Sequence, residues 1–116
     1  MKKILLVDDE EGIQMLYHAE LEESGYRVIS AYTGEEGLEK IKTESPDLVI
    51  LDIQMPGMNG IETLRQMKLT DPNLPVILSS AYNEYKQNLG AWASDEYIVK
   101  SSNINDLKEA VRKHIG

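Results

Sequence analysis

Five short apolar runs punctuate the chain: Ile4-Leu5-Leu6-Val7, Val28-Ile29, Leu48-Val49-Ile50-Leu51, Val76-Ile77-Leu78 and Tyr97-Ile98-Val99. Most are continuous rather than alternating, and they are rich in branched aliphatics. Such runs predict strands covered on both faces, as in a parallel sheet. The segments between them carry helical spacing. Ile13, Leu16, Tyr17 and Leu21 fall on one helix face, and Ile104, Leu107, Val111 and Ile115 on another. Thr33-Gly34-Glu35-Glu36 has the form of a capping box, and Asn59-Gly60-Ile61-Glu62 is its asparagine counterpart. Asn103 suits the cap of the last helix, with Asp106 in its first turn. Pro46, Pro72 and Pro75 sit just before strands, where they stop the preceding helices.

The pattern is a strand followed by a helix, repeated along the whole length. Helical crossovers between short strands imply parallel pairing and a doubly wound α/β sheet. The 116 residues fit one domain spanning 1–116, and no output domain is expected beyond the last helix. With 41% hydrophobic and 28% charged residues, usage is that of an ordinary globular chain. The start, Met1 to Gly12, has too short an apolar stretch for a signal core, and no run is long enough to span a membrane. A cytoplasmic location is expected. The absence of cysteine excludes disulfides, thiolate metal sites and a cysteine nucleophile. A net charge of −8 argues against direct nucleic-acid binding and suits cationic partners or bound cations; it suits simple solubility equally.

Polar residues gather just after the apolar runs. The first run ends at Asp8-Asp9, with Glu10 and Glu11 behind, the third at Asp52, the fourth at Ser79-Ser80 and the fifth at Lys100. The second ends at uncharged Ser30, which suits an outer strand. In an open parallel sheet, ligands bind beyond the carboxyl ends of the strands, so these groups are expected at one edge. Clustered carboxylates repel each other, and a hard cation such as Mg²⁺ relieves that through oxygen ligands. A carboxylate is also a nucleophile toward phosphorus, and phosphoryl transfer needs mainly positioning and positive charge. Singly, each residue has a plain structural reading: Asp8 and Asp9 as helix-start acids, Asp52 as a turn residue, Ser80 as a cap, Lys100 as a solvated lysine. Four strands delivering suitable groups at one end outweigh these readings. His18 and His114 stand at unrelated helical positions and are read as surface or packing residues.

These residues carry a resemblance to the receiver domain of two-component response regulators, the CheY-like family. "LVILDIQMPGMNGIE" resembles its phosphoacceptor strand, Met-Pro turn and third-helix start. "ILLVDDEEG" resembles its acidic pair, "VILSSAY" its Ser/Thr-Ala pair, and "EYIVK" its aromatic and lysine. The resemblance covers essentially the whole chain. It implies a flavodoxin/CheY-like three-layer (βα)5 sandwich with a five-stranded parallel sheet of order 2-1-3-4-5.

It also implies roles. Asp52 accepts phosphate from a sensor histidine kinase or phosphotransfer protein. Asp9 and Asp52 ligate Mg²⁺ (or Mn²⁺) directly, Asp8 acts through water, and the Gln54 backbone carbonyl is a further ligand. Lys100 pairs with the phosphate, and Ser80 hydrogen-bonds it. Tyr97 is the switch aromatic coupled to Ser80, and Gln54 and Tyr82 tune hydrolysis. The implied readout is the face of the fourth helix, fifth strand and fifth helix, with Trp92 and Tyr97 in or near it. That face would hold a downstream protein target, or a second copy once phosphorylated. Beyond its own phosphotransfer and dephosphorylation, no enzymatic activity is expected.

Two departures from the family stand out. Ser101 replaces the proline that usually follows the lysine. A cis bond before a non-proline residue costs about 3–4 kcal/mol, so a trans Lys100–Ser101 bond is expected. "LGAWASDEY" carries extra residues against the family's Gly-Ala-Asp-Asp-Tyr, so the Gly90–Asp95 loop is expected to differ. The alternative to a working receiver is a degenerate one, a binding or dimerisation module independent of phosphorylation. The intact Asp8, Asp9, Asp52, Ser80 and Lys100 argue against it. A phosphatase of the haloacid dehalogenase type needs a carboxylate two residues after the nucleophile, where this chain has Gln54.

Overall fold

The computed structural model describes all residues except 56–57, 81–95 and 100–103. The elements run β1 (Lys3–Val7), α1 (Glu11–Glu23), β2 (Arg27–Ala31), α2 (Gly34–Glu44), β3 (Leu48–Asp52), β4 (Gln54–Met55), β5 (Met58–Asn59), α3 (Gly60–Thr70), β6 (Val76–Ser80), β7 (Glu96–Val99) and α4 (Ile104–Ile115). The main sheet has the order β2-β1-β3-β6-β7, and every pair in it is parallel. Counting only its own strands, that is the expected order 2-1-3-4-5.

The continuous apolar runs became the interior strands. β3 and β6 are buried at every position, and β1 at all but its first. Each fully buried leucine or isoleucine is worth about 1.5–3 kcal/mol relative to exposure, so these strands anchor the fold. β2 lies at the edge and is only partly covered, as its uncharged end at Ser30 suggests. Two apolar layers flank the sheet. One joins Leu5, Val49 and Leu78 to Ile41 of α2 and Leu64 and Met67 of α3. The other joins Ile4, Leu6 and Ile50 to Tyr17 and Leu21 of α1 and Leu107 and Val111 of α4.

The helix ends follow local chemistry. Thr33 accepts a hydrogen bond from the Glu36 amide at 3.0 Å, and the Glu36 carboxylate reaches back to the Tyr32 amide at 3.1 Å. The capping box therefore closes one residue further back than its usual form. At the end of α1, Tyr26 N donates to Leu21 O and Gly25 N to Glu22 O, with Gly25 at φ 97°. This is a Schellman ending, and its left-handed position suits glycine.

One helix face differs from expectation. Ile13, Tyr17 and Leu21 of α1 pack inward, but Leu16 is 49% exposed and Gln14 is buried in its stead. Leu16 sits at the flank of the apolar stripe, where burial is decided by what the sheet offers. The sheet edge offers backbone carbonyls, and an amide meets that demand better than leucine. The segment after Asp52 also forms a small antiparallel hairpin absent from the expected strands, pairing Gln54 with Asn59 and Met55 with Met58. The expected cap at Asn103 and the fourth of the five expected helices lie outside the described residues.

Candidate functional site

β1, β3 and β6 are neighbours and run in the same direction, so their carboxyl ends meet at one edge. Val7 is level with Leu51, and Asp52 is level with Ser79. The residues emerging there are polar and deeply buried: Asp8 and Asp52 are each 1% exposed, Ser79 1% and Ser80 0%. Such burial of carboxylates is rare unless something offsets their charge.

Asp8, Glu10 and Asp52 bring carboxylate oxygens within 4.8 Å of one another. Asp9 is exposed and stands outside this group. Sequence reasoning had assigned the site to Asp8, Asp9 and Asp52 and left Glu10 behind it. β1 ends at Val7 and the chain bends at Asp9 before Glu10, the N-cap position of α1 at φ −87° and ψ 119°. The Glu10 amide donates to Asp8 Oδ1 at 2.9 Å, holding the two acids in one turn.

Three carboxylates in so small a space repel one another. Their oxygens form the donor set that a hard divalent ion prefers, so the arrangement fits Mg²⁺. The backbone of Gln54 lies just beyond, in β4. Ser80 ends β6 and is level with Val99 of β7. Tyr97 of β7 is half-buried and packs against the α2–α3 side of the sheet. Lys100, Tyr82, Trp92, the Gly90–Asp95 loop and the Lys100–Ser101 bond lie outside the described residues.

Sequence reasoning also missed a hydrogen-bond network behind the acids. Gln14, only 2% exposed, donates through Nε2 to the carbonyls of Asp8 at 2.9 Å, Ala31 at 3.0 Å and Leu6 at 3.3 Å. Ser30 donates to Gln14 Oε1 at 2.8 Å, and His18 Nε2 stands 2.6 Å from Ser30 Oγ. A polar residue on the apolar stripe of α1, opposite an uncharged strand end, was the available signal. His18, read from the sequence as a surface or packing residue, is a hydrogen-bonded member of this network.

A model of the response regulator receiver domain matches residues 4–112. The chain belongs to this family. This receiver is 38% identical to sporulation initiation phosphotransferase F of Bacillus subtilis, over 98% of its own length and 94% of that protein's. It is 40% identical to the alkaline phosphatase synthesis transcriptional regulatory protein PhoP of the same organism, over 96% of its length but only 47% of PhoP's. It therefore spans nearly all of one relative and about half of another. Among solved structures, the response regulator TrrA of Thermotoga maritima, crystallised in complex with Mg(2+)-BeF, is 46% identical with a TM-score of 0.95, covering 99% of this receiver and all of TrrA. TrrA in complex with the histidine kinase ThkA is likewise similar, with a TM-score of 0.93 and full coverage of both chains. Among the described residues of this receiver, no helix is long and apolar enough to cross a membrane.

Proposed function

We propose that this receiver takes a phosphoryl group from the phosphohistidine of a sensor kinase, or of a phosphotransfer protein, onto the Asp52 carboxylate. The observation that carries this is the placement of Asp52. It ends the central strand, is 1% exposed, and shares its corner with two other carboxylates. In the transfer, a carboxylate oxygen of Asp52 forms the new O–P bond as the donor's N–P bond breaks, and the electron pair stays on the imidazole, which takes up a proton. Hydrolysis returns the carboxylate and releases phosphate. The receiver's catalysis is confined to these two steps on itself.

Mg²⁺ (or Mn²⁺), when bound, supplies positive charge for the transferring oxygens. Asp9 and Asp52 would hold it directly, with Asp8 through water and with the Gln54 carbonyl. Glu10 adds to the negative field. Lys100 would pair with the phosphoryl oxygens, and Ser80 would hydrogen-bond them. Gln54 and Tyr82 would tune how quickly the phosphoryl group hydrolyses. Contacts made by Ser80 and Lys100 in only one conformation bias the equilibrium toward it. Tyr97, packed beside the sheet, carries that change to the face that meets a downstream target or a second phosphorylated copy. The whole cycle runs in the cytoplasm, on residues 1–116 acting as one unit. The TrrA structures with Mg(2+)-BeF and with ThkA support this reading.

Acetyl phosphate plus Mg²⁺ tests it. The expected result is a hydroxylamine-labile mass gain that Asp52→Asn abolishes. No gain, or one that survives Asp52→Asn, would instead support the degenerate binding module.

A further inference from the structure

We infer that Gln14 is a positioning residue for the acidic site, acting through the backbone from which Asp8 projects; this rests on the reading that the site holds a divalent ion. β1 and β2 both stop just before the site, at Val7 and Ala31. A parallel pair that stops leaves carbonyls with no further strand amide, and buried carbonyls need a donor. The Asp8 amide supplies one to Ala31 O at 3.0 Å. Gln14 Nε2 donates there as well, at 2.9 Å to Asp8 O, 3.0 Å to Ala31 O and 3.3 Å to Leu6 O. An NH₂ group has two protons, so the longest contact shares one. One side chain thus ties the ends of two strands and the carbonyl of a cluster acid. The Gln14 amide proton also bonds Glu10 O at 3.0 Å, so the Asp8–Glu10 turn is gripped at both ends by one residue.

The orientation of the amide is dictated chemically. Turned over, Oε1 would face three carbonyl oxygens. With Nε2 as the donor, Oε1 must accept, and Ser30 Oγ donates to it at 2.8 Å. The Ser30 proton is then spent, so at 2.6 Å His18 Nε2 carries the proton toward Ser30 Oγ. Lys40 Nζ pins the Ser30 carbonyl at 2.7 Å. The direction of every bond from His18 to Asp8 O is therefore set. Groups that orient a metal ligand from behind commonly change affinity by 10-fold or more when removed.

The test compares the intact chain with Gln14→Leu, Gln14→Glu and Ser30→Ala, and with Leu21→Ala as a control that loosens the far end of α1. Mg²⁺ is titrated into unphosphorylated protein while the Glu10 amide is followed by NMR. Protection of that amide from hydrogen exchange is read without metal. We expect the Mg²⁺ dissociation constant to rise about 10-fold in both Gln14 variants, with faster exchange at Glu10. Ser30→Ala gives a smaller rise in the same direction, and Leu21→Ala, though less stable, gives none. Wild-type Mg²⁺ affinity in a folded Gln14 variant overturns the inference while leaving the site reading intact. If Gln14→Leu does not fold, Gln14→Glu and Ser30→Ala decide on the same scale, and unchanged affinity in both overturns it. A wild-type chain that takes up no Mg²⁺ sinks the site reading and this inference together.

Discussion

Asp8 and Asp52 leave neighbouring parallel strands and place carboxylate oxygens within 4.8 Å of each other, although each residue is only 1% exposed. Like charges so close and so dry oppose folding unless a cation or a proton offsets them. Without divalent metal, Asp8→Asn should therefore raise stability. It keeps the oxygen that accepts from the Glu10 amide and removes one charge. Mg²⁺ at 100 times its dissociation constant should stabilise the wild type by about 2.7 kcal/mol. Asp8→Asn, binding more weakly, should gain less at the same concentration. Urea melts in EDTA and in MgCl₂ measure both effects, and a less stable Asp8→Asn in EDTA would contradict the repulsion argument.

Asp9 and Glu10 compete for the third acidic place. The family's arrangement gives it to Asp9, whereas the geometry brings Glu10 to the cluster and leaves Asp9 exposed. We expect Asp9→Asn to weaken Mg²⁺ binding more than Glu10→Gln, in line with the proposed ligand set of Asp9, Asp52 and the Gln54 carbonyl. Calorimetric titration of both variants would show it; the opposite ranking would assign the ligand to Glu10.

Gly60 opens α3 directly against the backbone of Ile53, the residue after Asp52. A Cβ there would lie 2.3 Å from Ile53 Cα and 2.7 Å from its carbonyl oxygen. Backbone cannot swing aside as a side chain does. Gly60→Ala should cost at least the upper end of the usual 1–3 kcal/mol for overpacking, and should disturb phosphorylation by shifting Asp52. Gly37 is the informative contrast. Its added Cβ would meet Val7 Cγ2 at 2.8 Å and Cγ1 at 3.3 Å and Met67 Cε at 3.4 Å, side-chain atoms rather than backbone, though Val7 is buried and stiff. Gly37→Ala also gains roughly 0.5–1 kcal/mol of helix preference, so it should cost less than Gly60→Ala, and Val7→Ala should relieve the clash. Thermal melts of the two glycine variants should separate them clearly.

On the exposed face of α3, Arg65 donates to Glu62 through Nε at 3.1 Å and Nη2 at 2.8 Å. These bonds, with help from Gln66, hold the Glu62 carboxyl below its ordinary range. A depressed folded-state value stabilises above the unfolded value, and that contribution is lost as pH falls through the folded one. Arg65→Leu should raise the Glu62 value toward the ordinary range, and its stability gap from wild type should narrow in acid. NMR titration of the Glu62 carboxyl carbon, with melts across the acid range, checks both.

Much of the fold was legible because its signals are local. Branched aliphatic runs such as Leu48–Leu51 can be buried on both faces only in a covered sheet, and short helical crossovers force parallel order. Asp52 and Ser80 could be placed at one edge for the same reason, since each directly ends such a run. The side-by-side choices were less legible. Asp8 and Asp9 look equivalent in one dimension, and Leu16 looks more apolar than Gln14.

The sequence by itself determined the doubly wound parallel sheet and the edge where the acids gather, which follow from the periodicity and hydrophobicity of each segment; the strand order came from the family resemblance of its motifs. Only the tertiary structure decided that Glu10 joins Asp8 and Asp52 while Asp9 faces outward, and that Gln14 turns inward while Leu16 stays in water. The turn just past β1, closed by the Glu10 amide on Asp8 Oδ1, decided the first. The second was decided by the carbonyls of Asp8 and Ala31, on segments 23 residues apart (31 − 8) that one side chain can join only when β2 lies beside β1.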